Sequence, residues 1–338
     1  MFNINTGDMK EVRQIDLHLP RGWNDCTTRE LEMISAAMLL RQQSATRLRP
    51  FDWAQVKVDV VLAVNDLAVR GQVPGSNNLA GTEPARDLSP DIPKPTAFLV
   101  RFRTRSLYHG FRRPAPFTIT TGQMMDLCSR LSWIDAPTAQ QQPLYHFPYP
   151  VLRLSWLHEY HGPGTLLDSY TWTEYRLLQD WMGVYMQWQN RLITLQHDLH
   201  ATAEQYLDAD RQMDSARAHF LAVLFRAKRV LSHPDSASRA FRDFDPVRWQ
   251  VILLWWSSLM QQLMKKFPRV FKPQPVKGRR AAKSQSPWDF YNHVTATLAD
   301  EYKISETEQK SETYSVTLQK LENMAEKSAE LERLSKKK

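Results

Sequence analysis

Cysteine is nearly absent: Cys26 and Cys128 are the only two in 338 residues. Two thiols cannot build a disulfide framework or a four-cysteine zinc site, and such usage suits a reducing cytoplasm. Glycine is scarce too, at 11 residues against 20 prolines. No G-x-x-x-x-G-K-[ST] or G-x-G-x-x-G occurs, so neither phosphate-cradling loop is present. There is no G-x-S-x-G nucleophile elbow. Long apolar runs are missing as well. The most apolar stretch, WQVILLWWSSLMQQLM from Trp249 to Met264, is shorter than the roughly 20 residues of a bilayer span. It also holds Gln250, Ser257, Ser258, Gln261 and Gln262, so it reads as a buried helix. The opening MFNINTGDMKEV has no basic-then-apolar signal pattern.

Aromatic and basic residues are plentiful. Eleven Trp call for a substantial core or a sticky partner surface. The net charge of +8 is compatible with an acidic partner or nucleic acid. Much of it sits in KGRRAAK (Lys277 to Lys283) and in Lys336 to Lys338, which read as solvated tails.

The apolar spacing predicts a mainly α protein with a few short N-terminal β-strands and a small helical C-terminal domain. Ile15, Leu17 and Leu19 alternate as one face of a strand. LPRGWNDCTTREL (19–31) then turns the chain into a helix, with Thr27 or Thr28 as N-cap and Glu30 in the first turn. Trp23 is placed to pack at the helix start. Leu31, Ile34, Met38 and Leu39 lie on its inner face, and Val56, Val60, Val64 and Leu67 mark the next helix. Residues 71–95 show no apolar period and read as a Pro/Gly-rich loop or insert. Strands are expected at Phe98 to Phe102, at Phe117 to Thr120 and in Val151 to Leu157. Thr121 is expected to cap a helix over Gln123 to Ser132. In the centre, Trp181, Val184, Trp188, Leu192, Leu195 and Leu199 form the stripe of a long helix. A second helix is expected over Ala216 to Leu231, with Phe220, Val223, Leu224 and Ala227 inward, broken at Pro234. Asp245-Pro246 opens a third, lined by Ile252, Trp255, Trp256, Leu259 and Leu263. Pro287-Trp288 begins a short helix, and Ser305-x-x-Glu308 is a capping box ahead of another. The terminal AEKSAELERLSKKK is expected to fray. These features divide the chain into 1–165, a helical core domain 166–275, a basic linker 276–287 and a helical C-terminal domain 288–338.

Chemistry-bearing clusters are sparse. His158-Glu159-Tyr160-His161 resembles a zinc motif, but the histidines are three apart, not four, and Gly162-Pro163-Gly164 stops any helix. His197 and His200 read as polar-face residues. Glu204, Asp208, Asp210 and Asp214 read as a solvated helix face, and Cys26 and Cys128 as small hydrophobes. No metal, cofactor or catalytic site is expected, and the chain does not read as an enzyme. RFRTRSLYHGFRR is the nucleic-acid candidate. Arg101, Arg103, Arg105, Arg112 and Arg113 would meet phosphates there, with Tyr108 and Phe111 stacking on bases. The alternative is an edge strand and turn with its charges in water.

Three segments taken together carry a resemblance: LPRGWNDCTTRELEMISAAMLL, VILLWWSSLMQQLMKKFPRVFKP, and WDFYNHVTATLADEYKISETEQ followed by TYSVTLQKLENMAEKSAELERL. In the same order they resemble a protein family encoded in prophages of Bacteroides-like bacteria. Its members open on a pattern close to L-P-x-x-W-x-E-L-T-x-x-Q-L and carry an aromatic helix ending in F-P-x-x-F. They finish in a short helical domain similar to products encoded just ahead of phage tape-measure genes. Asp25 stands where the family often has Glu, Cys26 where it has Leu, and the 71–95 insert has no counterpart. The resemblance implies a tail assembly chaperone in the host cytoplasm. Such a protein is non-enzymatic and keeps the tape-measure protein soluble during virion morphogenesis. The partner-binding candidates are then Trp288, Phe290, Tyr291, Tyr314, Leu318 and Leu321. The alternatives are a structural virion protein, for tail completion or as a connector, and a nucleic-acid-binding protein.

Overall fold

The computed structural model describes residues 2–3, 14–15, 17–45, 50–74, 96–103, 116–136, 143–154, 159–198, 200–227, 234–271 and 287–335. The fold is mainly helical, as expected, with small antiparallel sheets. It forms two compact units, Met1–Gln142 and Pro143–Lys338. Residues 143–165, read from the sequence with the N-terminal region, therefore group with the helices that follow. No helix among the described residues is long and apolar enough to cross a membrane.

In the first unit, β1 (Phe2–Asn3) pairs antiparallel with β2 (Gln14–Ile15). The expected strand stops there, short of Leu17 and Leu19. The reason is local: Asn65 donates to the His18 carbonyl at 3.0 Å and accepts the His18 N–H at 2.8 Å, taking the place of a strand neighbour. The LPRGWNDCTTREL stretch is a corner. Trp23 is buried edge-on against Trp133, with ring centroids 4.7 Å apart. Thr27 and Glu30 then close a capping box on α1 (Thr28–Ser44). Leu31, Ile34 and Ala37 are buried along it, while Met38 and Leu39 are half-buried.

Asp52 caps α2 (Trp53–Val64), which buries Val56, Val60 and Val61. Leu67 does not extend that helix. Asp66 takes a left-handed conformation at φ 55, and Leu67 opens β3 (Leu67–Pro74). Strand β3 takes the first residues of the expected loop, Gly71–Pro74, and a bulge falls between Val69 and Gly71. An edge position tolerates Pro74, whose missing N–H would cost more in a central strand. The sheet order is β3, β4 (Thr96–Phe102), β5 (Phe117–Thr120), all antiparallel. Residues 75–95 lie outside the described residues. Thr120, one residue before the expected cap, forms a capping box with Gln123 and opens α3 (Thr121–Ser129).

The second unit begins with β6 (Val151–Arg153) and β7 (Glu159–His161), joined on β7 by β8 (Arg226–Ala227). Gly162 follows, where a Cβ would come within 2.2 Å of the Phe147 ring and 2.5 Å of the Tyr149 carbonyl. Only glycine fits that close approach. Next come α4 (Trp172–His197) and α5 (Ala203–Leu224), each opened by a capping box, Thr171 with Glu174 and Thr202 with Gln205. Helix α5 begins at Ala203, well before the expected start at Ala216, because its first turns are polar, and it ends at Leu224; Ala227 lies in β8. Pro234 opens the short α6 (Pro234–Arg239), where a break was expected. Asp245 caps α7 (Pro246–Lys266) with Pro246 at its first position, and Ile252, Trp255, Trp256, Leu259 and Leu263 are all buried.

The chain closes with α8 (Pro287–Tyr302), α9 (Glu306–Ser311) and α10 (Tyr314–Ser335). Most of the linker expected at 276–287 lies outside the described residues, and Pro287 already belongs to α8. The tail expected to fray is helical to Ser335, with its last turns exposed.

The face of α4 differs from the expected stripe. Its buried side chains are Trp172, Tyr175, Leu178, Met182, Tyr185 and Leu195. Trp181, Val184, Trp188 and Leu192 are half-buried, and Leu199 lies outside the described residues. The expected stripe runs along the side toward α5. There Trp181 stacks on His219 at 4.3 Å, and the Tyr206 hydroxyl donates to the Leu195 carbonyl at 2.5 Å. A two-helix seam is too thin to bury large side chains completely.

Candidate functional site

The second unit contains a cleft of about 390 Å³ at the foot of α4. Capping by Thr171 places Trp172, Tyr175, Arg176 and Gln179 on successive turns facing it. The F-P-R-V-F turn after α7 supplies Val270 and Phe271. Helix α8 supplies Tyr291 and Val294, and α10 supplies Leu318, Leu321 and Ala325.

Trp172, Tyr175 and Tyr291 line it as part of a run of rings that continues to Tyr314. Tyr314 stacks on Tyr175 at 4.7 Å, Tyr175 on Trp172 at 5.9 Å, and Trp172 on Tyr291 at 5.8 Å. The polar ends of these rings are satisfied. The Trp172 indole N–H donates to Thr295 Oγ1 at 3.3 Å, and the Tyr291 hydroxyl lies 3.1 Å from Thr173 Oγ1. Gln179 Nε2 donates to the Tyr175 hydroxyl at 2.5 Å, and the Tyr314 hydroxyl donates to the Leu166 carbonyl. Burial pushes the Tyr175 and Tyr314 phenols well above their ordinary range; Tyr314 adds to the shift of Tyr175 and Asp168 to that of Tyr314. Both stay protonated through the physiological range.

Backbone bonds tie the C-terminal helices to these rings. Trp172 N–H donates to the Glu312 carbonyl at 2.7 Å, and Tyr314 N–H to the Tyr170 carbonyl at 3.0 Å, forming a bridge between Thr171 and Thr313. Glu322, only 6% exposed, holds the opposite wall. Its carboxylate accepts the Arg269 and Val270 N–H groups at 3.0 Å each and pairs with the Arg269 guanidinium at 3.3 Å. Arg176 pairs with Asp180 at 2.7 Å, and its Nε is buried without an acceptor. Burial raises the Asp180 carboxyl above its usual range, with Arg176 pulling the other way.

Of the six partner-binding candidates, Tyr291, Tyr314 and Leu318 are buried inside the unit, and Leu321 is half-buried on the cleft wall. The side chains of Trp288 and Phe290 lie outside the described residues. The chain's own packing thus occupies the buried three, and it recruits Trp172 and Tyr175, which sequence reasoning missed. The signal was present: Thr171-x-x-Glu174 fixes a helix start and puts Trp172 and Tyr175 three apart on one face.

The remaining candidates are dispersed. Arg101 is half-buried in β4, and Arg103 follows it, donating through Nε to the Leu67 carbonyl at 3.1 Å. Arg105, Tyr108, Arg112 and Arg113 lie outside the described residues. Glu159, Tyr160 and His161 form β7 instead of a helix, and His158 lies outside the described residues. His197 and His200 are exposed. Asp214 pairs with Arg217 at 3.0 Å. Among the described residues no three His, Cys, Asp or Glu side chains gather as a metal site. Burial, then Glu30 and Asp25, push the Cys26 thiol up to about 12; burial also raises Cys128. Neither is poised as a thiolate.

The cleft is therefore an apolar receptacle with an arginine at its edge, suited to receiving bulky side chains. No protein-family model, curated protein or solved structure matches the chain.

Proposed function

We propose that the protein is a non-enzymatic phage tail assembly factor that acts as a chaperone for the tape-measure protein in the host cytoplasm. The observation that carries this reading is the cleft at the foot of α4, with its aromatic lining and aliphatic walls. A holdase for apolar helices needs a pocket that accepts anchor side chains from one helical face. About 390 Å³ accommodates a few such side chains and not a whole helix, so the client's backbone lies across the rim. The resemblance of the N-terminal corner, the F-P-R-V-F turn and the C-terminal helices to the prophage family supplies the client's identity.

Co-expression with the tape-measure product tests the reading. The intact chain raises the soluble fraction of that product and co-purifies with it. Leu321→Glu, on the half-buried wall, reduces both while the chain itself stays folded. Unchanged solubility and no co-purification would overturn the proposal. Mass spectrometry of finished particles separates a chaperone, which is absent from them, from a structural virion protein, which is present.

A further inference from the structure

We propose that the groove between α1 and α2 seats an amphipathic α-helix of a partner protein, with carboxylates at one end of that helix. This site lies wholly within the first unit and stands apart from the cleft reading.

The first argument is the distribution of apolar residues around α1. Leu31, Ile34 and Ala37 are buried. Arg29, Met33, Ala36 and Leu40 recur every three or four residues, and at 3.6 residues per turn they fall on the side away from Leu31 and Ile34. A helix apolar on two sides is normally covered on both. Here the second side is open, with Leu40 59% exposed and Ala36 exposed. Leu62 and Ala63 of α2 complete a groove of about 400 Å³.

Its length and its small lining side chains suit a helix. From Arg29 to Leu40 the groove runs about 16 Å at 1.5 Å per residue, or three helical turns. Ala36, Ala37 and Ala63 line it, and small side chains let helix backbones approach closely. Met33 adds an adaptable contact.

The charges select the partner's polarity. Near the Arg29 end the groove is lined by Asp66 and Arg103. Among the described residues Arg29 makes no ion pair, and Arg103 engages its Nε, on the Leu67 carbonyl. Asp66 is already engaged. Near the other end, Arg41 neutralises Asp59 through two contacts, at 2.5 and 2.9 Å. Among the described residues the Arg29 guanidinium and the two terminal nitrogens of Arg103 therefore have no carboxylate partner beside one end of an apolar groove. Carboxylates are the groups they grip best, in bidentate geometry.

The test uses the full chain and a fluorescein-labelled synthetic helix of about 15 residues, long enough to span the groove. The peptide carries leucines at i, i+3, i+4 and i+7 and a pair of glutamates at one end; a second version carries lysines in their place. Anisotropy titration is expected to show saturable binding of the glutamate peptide. Arg29→Glu combined with Arg103→Glu, or the lysine peptide, weakens it by roughly tenfold or more, as expected for like charges brought together. The titrations use a Leu321→Glu background, which closes the cleft of the other unit to the peptide's leucines, and in that background Leu40→Glu abolishes binding. Ala36→Arg, also at an exposed position, repeats the block if Leu40→Glu misfolds by circular dichroism. Absence of saturable binding, or binding indifferent to Leu40→Glu and Ala36→Arg, overturns the site. Equal binding of both peptides overturns the carboxylate preference.

Discussion

The helical unit is filled with rings and the mixed unit with aliphatic side chains. Besides Trp255 the second unit buries Phe147, Tyr160, Phe220, Phe225, Phe241 and Trp249, together with the stacked rings of Trp172, Tyr175, Tyr291 and Tyr314. The first unit buries Leu31, Ile34, Val56, Val60, Val61, Val100, Ile119 and Leu127, with Trp23 and Phe117 among its few large rings. The contrast separates two ways of making a receptive surface. Rings are long enough to link segments distant in sequence and carry polar ends that need partners, so they leave a deep cleft with a specified rim. Small aliphatic residues let helices approach closely and leave a groove whose selectivity comes from the charges at one end.

The sharpest test of this difference is Trp172→Ala. It removes the centre of the ring stack and the indole bond to Thr295, at a cost of about 3–5 kcal/mol. Calorimetry should show the transition of the helical unit lowered and that of the mixed unit unmoved; a shared shift would break the comparison. Gly162→Ala forces a methyl into the Phe147 ring and should cost about 1–3 kcal/mol in the same unit, read from urea midpoints. Glu322→Ala removes a carboxylate that accepts the Arg269 and Val270 N–H groups in part-buried, charge-assisted bonds, for about 1–3 kcal/mol. Hydrogen exchange should rise at Arg269 and Val270 before it rises elsewhere.

Two smaller effects belong to the mixed unit. Thr27→Ala should cost about 1 kcal/mol through the lost capping box. Cys26 links that unit to alkaline pH. Its folded value of about 12 lies above the ordinary 9.0, so the protonated thiol is favoured by folding. That contribution is whole below pH 9 and is lost as pH rises from 9 toward 12. The mixed unit should therefore weaken across that window, and Cys26→Ser should flatten the dependence.

Features that depend on neighbours in sequence were legible in advance. Thr27 with Glu30, Ser305 with Glu308, and Asp245-Pro246 announce helix starts, because caps are made within four residues. The inner face of α7 was equally legible, because all its tryptophans, Trp249, Trp255 and Trp256, fall on one stripe. The inner face of α4 was not. Two stripes compete there, and the fully buried one includes Tyr175 and Tyr185, whose hydroxyls make them read as half-polar. Tyr291, Leu318 and Leu321 of the cleft stood out as bulky apolar residues. That Tyr291 and Tyr314 are held by the chain's own Trp172 and Tyr175 depends on contacts more than a hundred residues apart, which no local pattern records.

The clasp between Tyr170–Trp172 and Glu312–Tyr314 has a consequence for how the chain is made. The Tyr314 hydroxyl meets a carbonyl 148 residues earlier. At translation speeds of about 5–20 residues per second, roughly 7–30 s separate the emergence of the two partners from the ribosome. During that interval Trp172 and Tyr175 are on a nascent chain whose C-terminal cover does not yet exist. A ribosome stalled before residue 312 would display those rings uncovered, whereas α1 and α2 would already have emerged together with their caps.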